Sequence, residues 1–169
     1  MTSYPLRQVR LRPGEEQREQ VAVELEPFEL GGQRYLPVPA TVQAGLTIAR
    51  ATSGDVFRLR LAARLHGPCM RCLADAALDL ELDLREYHAA DEDAPEELRS
   101  DYVVEGRLEL SAWARDAIAL ELPDRILCRP DCAGLCPVCG KDLNAEPHEH
   151  AAEATDPRWA ALEELRDRL

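Results

Sequence analysis

The sequence predicts an α+β protein: an antiparallel β-sheet or partly closed barrel, a few helices, and a zinc-knuckle C-terminal segment. Three observations carry this. Apolar and charged residues alternate with period two from Phe57 to His66 and again from Leu78 to Arg85. Helical spacing appears only late, at 111–121 and 156–169. Six cysteines fall in pairs, the sharpest being Cys136-Pro-Val-Cys139-Gly140. With 169 residues, 46% apolar and 31% charged, the chain has enough apolar side chains for a packed core.

The elements follow in order. Residues 1–20 are polar and read as an extended arm, with a short strand near Val9–Leu11 and a turn at Pro13-Gly14. Val21 to Phe28 reads as a strand ended by Pro27, and Gly31-Gly32 as a turn. Pro37 and Pro39 make the next stretch irregular or an edge strand. Val42–Ala49 is a strand, followed by a turn at Ser53-Gly54-Asp55.

The clearest signal is a hairpin. Phe57, Leu59, Leu61, Ala63 and Leu65 share one face; Arg58, Arg60, Arg64 and His66 share the other. Beyond Cys69-Met-Arg-Cys72, Leu78, Leu80, Leu82 and Leu84 face opposite Asp79, Glu81, Asp83 and Arg85. Antiparallel pairing would bury both leucine rows and set arginine against acid. Residues 88–100 are acidic and read as a loop or a short helical turn, and Asp101–Glu105 as a short strand. Ser111 is placed to cap a helix to about Glu121, with Trp113, Ala117 and Leu120 inward and Pro123 as its stop. A closing helix is expected from Asp156, with Pro157 at its first position and the stripe Trp159, Leu162, Leu165 and Leu169. Two domains result: a β-rich 1–123, and a cysteine/histidine segment 124–169 packed on it.

The motifs point to metal. In Cys136-Pro-Val-Cys139-Gly140 a tight turn brings two thiolates to one cation, and glycine lets backbone N–H groups approach sulfur. A redox pair would need a helix N-terminus after the first cysteine, and Pro137 and Gly140 argue against one. Cys69 and Cys72 form a second knuckle in a hairpin turn; buried free thiols are the plainer alternative. Cys128 and Cys132 are more loosely spaced, and His148-Glu-His150 adds two imidazoles. Eight ligands suit two tetrahedral zinc sites. The favoured pairing is Cys136, Cys139, His148 and His150 for one, and Cys69, Cys72, Cys128 and Cys132 for the other. A single ribbon of Cys69, Cys72, Cys136 and Cys139 is the alternative, and spacing does not decide between them. No GxSxG, HExxH, P-loop or GxGxxG occurs, so no catalytic constellation is expected.

Charge suggests partners. The net charge is −12. Residues 73–105 alone carry −10, two arginines against twelve acids, while residues 1–72 carry +3. An acidic surface repels phosphate and argues against a self-sufficient nucleic-acid binder. Asp91, Glu92, Asp93, Glu96 and Glu97 are candidates for holding a basic protein, and Arg58, Arg60 and Arg64 for touching RNA. No run of 18 apolar residues exists to cross a bilayer, and the opening residues lack the apolar core of a secretory signal. The expected compartment is the cytoplasm, where clustered cysteines bind metal more often than they form disulfides.

Several phrases then line up in order. They are Gly67-Pro-Cys-Met-Arg-Cys-Leu73, Arg85-Glu86, Leu110 with Trp113-Ala-Arg-Asp-Ala117, and Leu120 to Pro123. Next come Asp131-Cys-Ala-Gly-Leu-Cys-Pro-Val-Cys-Gly-Lys-Asp-Leu-Asn144 and Asp156-Pro-Arg-Trp159. In these, from about Leu6 to the C-terminus, the chain resembles the bacterial large ribosomal RNA subunit accumulation family, the YceD type, formerly a domain of unknown function. The resemblance implies a role in building the large ribosomal subunit, whose RNA accumulates less when the protein is lost. It also implies genomic company with a small zinc-binding large-subunit protein, and no established enzymatic activity. The family's cysteine pattern falls on Cys69, Cys72, Cys128, Cys132, Cys136 and Cys139. Many relatives have Cys-x-Cys where this chain has His148-Glu-His150, a change compatible with a retained zinc site or a lost one.

The resulting expectation is a non-enzymatic zinc-binding factor supporting 23S rRNA accumulation, with large-subunit proteins and precursor 23S rRNA as partners. The alternatives are a thiol-redox or metal-dependent RNA-processing enzyme, and a general zinc adaptor.

Overall fold

The structure, a computed structural model, describes residues 1–91 and 93–150. The expected closing helix and Glu92 lie outside them. Among the described residues, nine strands and one α-helix follow in chain order: β1 (Tyr4–Pro5), β2 (Glu16–Glu24), β3 (Phe28–Leu30), β4 (Gln33–Pro37), β5 (Thr41–Arg50), β6 (Gly54–Pro68), β7 (Asp75–Ala89), β8 (Val103–Val104), β9 (Arg107–Leu108) and α1 (Leu110–Glu121). The chain divides into two compact units, Met1–Cys132 and the residues from Ala133 onward. The sequence boundary fell after Pro123. Residues 124–132 instead belong with the first unit, where Ile126 and Cys132 are buried.

The first unit is built on β6. Its alternation buries Phe57, Leu59, Leu61, Ala63 and Leu65 on one face, as the period-two pattern requires. One edge of β6 pairs with β7 along its whole length, from Gly54↔Ala89 to Pro68↔Asp75. The other edge is shared: β5 pairs with Asp55–Arg60, and β4 with Leu65–His66. β2 adds to the far side of β5, and β3 to β4 across the Gly31-Gly32 turn. All pairings are antiparallel, and β2, β3 and β7 end the sheet. Of the two arrangements left open by the sequence, this is an open sheet. A smaller sheet, β1-β9-β8, precedes α1.

The hairpin register matches the charge and apolar patterns. Leu59 faces Leu84, Leu61 faces Leu82 and Leu65 faces Leu78. On the opposite face Arg60 meets Asp83 and Arg64 meets Asp79. One pair breaks the expected match: Arg58 stands opposite Arg85. It reaches diagonally instead and grips Asp83, its Nε donating to Oδ1 at 2.6 Å.

Four local expectations change. β2 starts at Glu16, inside the stretch read as an arm. No strand forms at Val9–Leu11; the N-terminal strand is Tyr4–Pro5, paired with β9. Ser111 is not the cap, since Glu109 holds that position without a side-chain bond. The Ser111 hydroxyl accepts the Thr2 N–H at 2.7 Å, and the Ser111 N–H donates to the Thr2 carbonyl at 3.1 Å. The inner face of α1 is Leu110, Trp113, Ala114 and Ile118, with Ala117 half-buried. Leu120 lies two turns past Trp113 on the same 3.6-residue stripe, yet it points to solvent, 87% exposed.

Candidate metal centres

The first centre forms where β6 ends. After Pro68 the chain must reverse into β7, and it does so with the Cys69 N–H donating to the Ala74 carbonyl at 2.7 Å. Within that turn the Leu73 N–H donates to the Cys69 carbonyl at 3.0 Å, with Leu73 in the left-handed region at φ 63°. This curl aims the Cys69 and Cys72 thiols the same way. The Arg71 N–H then approaches the Cys69 sulfur at 3.5 Å.

A second segment closes over this turn. The Met70 N–H donates to the Ile126 carbonyl at 2.9 Å, and the Ile126 N–H donates back to the Met70 sulfur at 3.4 Å. Ile126 is buried in the core, so the segment behind it is anchored and delivers Cys128 and Cys132. Arg71 ties the far end, its guanidinium donating to the Cys132 carbonyl at 2.7 Å. The four sulfurs lie within 4.8 Å of one another, Cys69 Sγ 3.8 Å from Cys132 Sγ and Cys72 Sγ 3.6 Å from Cys128 Sγ. Cys69 and Cys132 are fully buried, Cys72 nearly so at 9%, and Cys128 is exposed.

Electrostatics divides the set. Burial pushes the Cys69 thiol up, but the backbone N–H groups of Cys72, Arg71 and Cys128, with the Cys72 thiol, outweigh it and lower it to about 6. Cys128 moves the other way, pushed up to about 12, first of all by its contact with Cys72. Four sulfurs this close cannot all ionise without a cation between them.

The second centre lies in the second unit. Leu135 bridges Asp142, the Cys136 N–H donates to the Lys141 carbonyl, and the Gly140 N–H to the Cys136 carbonyl, each at 2.8 Å. Gly140 sits at φ 72°, a conformation this turn demands and few side chains tolerate. The Leu143-Asn144 pair locks the loop: the Leu143 N–H reaches the Gly134 carbonyl at 2.9 Å, and Asn144 Oδ1 accepts the Ala133 N–H at 2.8 Å. Backbone N–H groups of Cys139 and Val138 lower the Cys136 thiol to about 6.

His148 completes the approach. Its Nδ1–H donates to the Glu146 carbonyl at 2.7 Å, which turns Nε2 toward the Cys139 sulfur at 3.1 Å. His150 stands edge-on to His148, ring centres 5.0 Å apart. The ligand atoms of Cys136, Cys139, His148 and His150 also lie within 4.8 Å of one another. Among the described residues these are the two groups of His, Cys, Asp or Glu that so converge. The grouping is the two-centre one favoured by the sequence rather than the single ribbon. The sequence reading missed the supports Met70, Arg71, Ile126 and Glu146. Only Arg71 carried a signal, its place inside a Cys-x-x-Cys turn.

The partner candidates belong to neither set. Asp91, Asp93, Glu96 and Glu97 are exposed beyond β7. Arg58, Arg60 and Arg64 lie on the solvent face of β6, all engaged by β7 acids: Asp83 serves Arg58 and Arg60, and Asp79 serves Arg64 at 3.5 Å. Among the described residues no helix is long and apolar enough to cross a membrane.

Comparison with known proteins adds a family. The sequence model of the family described as large ribosomal RNA subunit accumulation protein YceD matches residues 57–166, more than half of the chain. An uncharacterised protein of Mycobacterium tuberculosis strain H37Rv is 37% identical over 131 residues, 75% of this chain and 62% of the relative. An uncharacterised protein of Mycobacterium leprae is 36% identical over 101 residues, 57% of this chain and 46% of its own. Bacillus subtilis YlbN, also uncharacterised, is 27% identical over 113 residues, 64% of each chain. The chain thus spans less than two thirds of the length of the curated relatives it matches. No solved structure matches it.

Proposed function

The chain belongs to the large ribosomal RNA subunit accumulation (YceD) family, and from that premise we propose a non-enzymatic, zinc-stabilised cytoplasmic factor of large-subunit biogenesis that supports 23S rRNA accumulation. The observation that carries the metal part is the four-thiol cluster. Zinc–sulfur bonds of about 2.3 Å put tetrahedral sulfurs about 3.8 Å apart. The cross-pairs at 3.8 and 3.6 Å have that spacing. A set of four sulfurs, or of two sulfurs and two imidazoles, is the donor chemistry zinc prefers over harder cations. Four protein ligands also leave no open position for a substrate, which favours a structural over a catalytic ion.

The charge distribution supports a chaperone-like role. Residues 73–105 are too acidic to lie on an RNA backbone unaided, so the partner they fit is a basic large-subunit protein. The arginines of β6 are already occupied by Asp79 and Asp83. That weakens them as the primary RNA contact.

The test is isolation of tagged protein from growing cells at low salt, with identification of bound RNA and proteins. The proposal expects basic large-subunit proteins or precursor 23S rRNA, released as salt rises. Enrichment of proteins unrelated to ribosomes would favour a general zinc adaptor. Metal-dependent cleavage of precursor RNA by the purified protein would favour an enzyme.

A further inference from the structure

We infer that the outer edge of β7 receives an extended basic segment of a partner protein as an added antiparallel or parallel strand. This rests on the reading that the acidic stretch holds a basic protein, and it names how. β7 is fifteen residues long and pairs with β6 on one side only. Among the described residues, the backbone of Ala77–Arg85 makes no hydrogen bond beyond that ladder. These nine residues span about 30 Å, and their outward-facing N–H and C=O groups have no backbone partner among the described residues. Free edges of this length invite another strand and are normally short, bulged or covered.

The two faces at this edge say what the added strand looks like. On the solvent face stand Asp79, Glu81 and Asp83, followed by Arg85 at the end of the stretch. Asp79 and Asp83 answer β6 arginines, but Glu81 faces Ala62 and has no cationic partner among the described residues. On the core face stand Leu78, Leu80 and Leu84. These three are only half-buried, whereas Leu82 between them and their β6 partners Leu65, Ala63 and Leu59 are buried. An added strand with basic residues on one face and apolar residues on the other would meet the carboxylates and cover the leucines together. A second copy of β7 is rejected by the same charges, because acid would face acid.

The probe is acetyl-(Lys-Val)5-amide, tested against the intact protein by fluorescence anisotropy and amide hydrogen exchange. Its comparators are a peptide of the same composition with lysines and valines in separate blocks, and an alternating peptide N-methylated at every second residue. The expected result is binding of the alternating peptide, at least tenfold loss on N-methylation or blocking, and slowed exchange confined to 77–85. Glu81→Lys, an exposed position opposite alanine, should weaken binding at least fivefold with an unchanged melting temperature. Binding that tolerates N-methylation but falls with Glu81→Lys overturns strand addition and leaves the basic-partner reading standing. No binding by any lysine peptide at low salt overturns both. A concentration-dependent dimer that protects 77–85 without peptide makes a second copy the occupant and also overturns the proposal.

Discussion

Arg71 shows how much of the first centre depends on one residue that is not itself a ligand. Its backbone N–H approaches the Cys69 sulfur while its guanidinium holds the Cys132 carbonyl at 2.7 Å. Arg71→Ala keeps the first contact and loses the second, along with a positive charge beside four sulfurs. Groups that orient ligands change metal affinity by about 10–100-fold. The expected outcome is that loss at the four-cysteine centre alone, read by chelator competition, with the Cys136 centre unchanged. Asp83 offers a separate test by pH. Its bond from Arg58 holds the carboxyl below the usual carboxylate range. A lowered folded value stabilises above the ordinary pKa near 4, and that gain disappears as pH falls through the lowered value. Wild type should therefore lose stability between about pH 4 and the lower value, and Asp83→Asn should flatten that part of the acid limb. A melting-temperature profile from pH 2 to 7 compares the two. An Asn variant with the same acid slope would show that Asp83 contributes nothing there.

At the scale of elements, the β6–β7 hairpin was legible because sheet packing writes directly into sequence. One face is buried, so apolar residues recur every second position and a one-residue slip is penalised throughout. Leu59 sits at 0% exposure in that register and Leu120 at 87%. Leu59→Ala should cost about 2–5 kcal/mol in denaturant unfolding. Leu120→Ala should stay within about 0.5 kcal/mol. Gly54, where β6 begins, has a further constraint the sequence did not reveal: a Cβ there would overlap the His88 carbonyl and crowd the Tyr87 ring. Gly54→Ala should shift the β6–β7 ladder and cost more than about 1 kcal/mol, since backbone must move. The start of β2 was illegible for a related reason. Glu16 to Gln20 are polar on both faces, lying on an edge strand beyond the core, so no alternation marked them as a strand. The helix was found, but Ser111, which looked like its cap, is instead the anchor of the N-terminal segment, and Leu120 is exposed although it lies on the apolar stripe.

At the scale of the molecule, the two metal sets differ in how far they reach along the chain. Cys136, Cys139, His148 and His150 fall within fifteen residues of the second unit, so a local loop suggested them as one set, although spacing did not decide against a single ribbon. Cys69 and Cys72 meet Cys128 and Cys132 across more than fifty residues, and only tertiary structure brings them together. That difference predicts unequal consequences. The four-cysteine set is joined to the core through Cys69, Cys132 and Ile126, whereas the Cys136 set belongs to a separate unit. Metal-binding free energy is folding free energy where a site forms only in the folded state. Cys132→Ser should lower the melting temperature of the β-sheet unit strongly, and Cys139→Ser should leave it nearly unchanged; each should remove one ion.

The direct test of the central claim is elemental analysis of freshly purified protein, never exposed to chelator, alongside the His148→Ala, His150→Ala double variant. The account predicts two zinc ions per wild-type chain and one in the double variant, retained by Cys69, Cys72, Cys128 and Cys132. Wild type without bound metal would contradict it and make free thiols the correct description of both clusters.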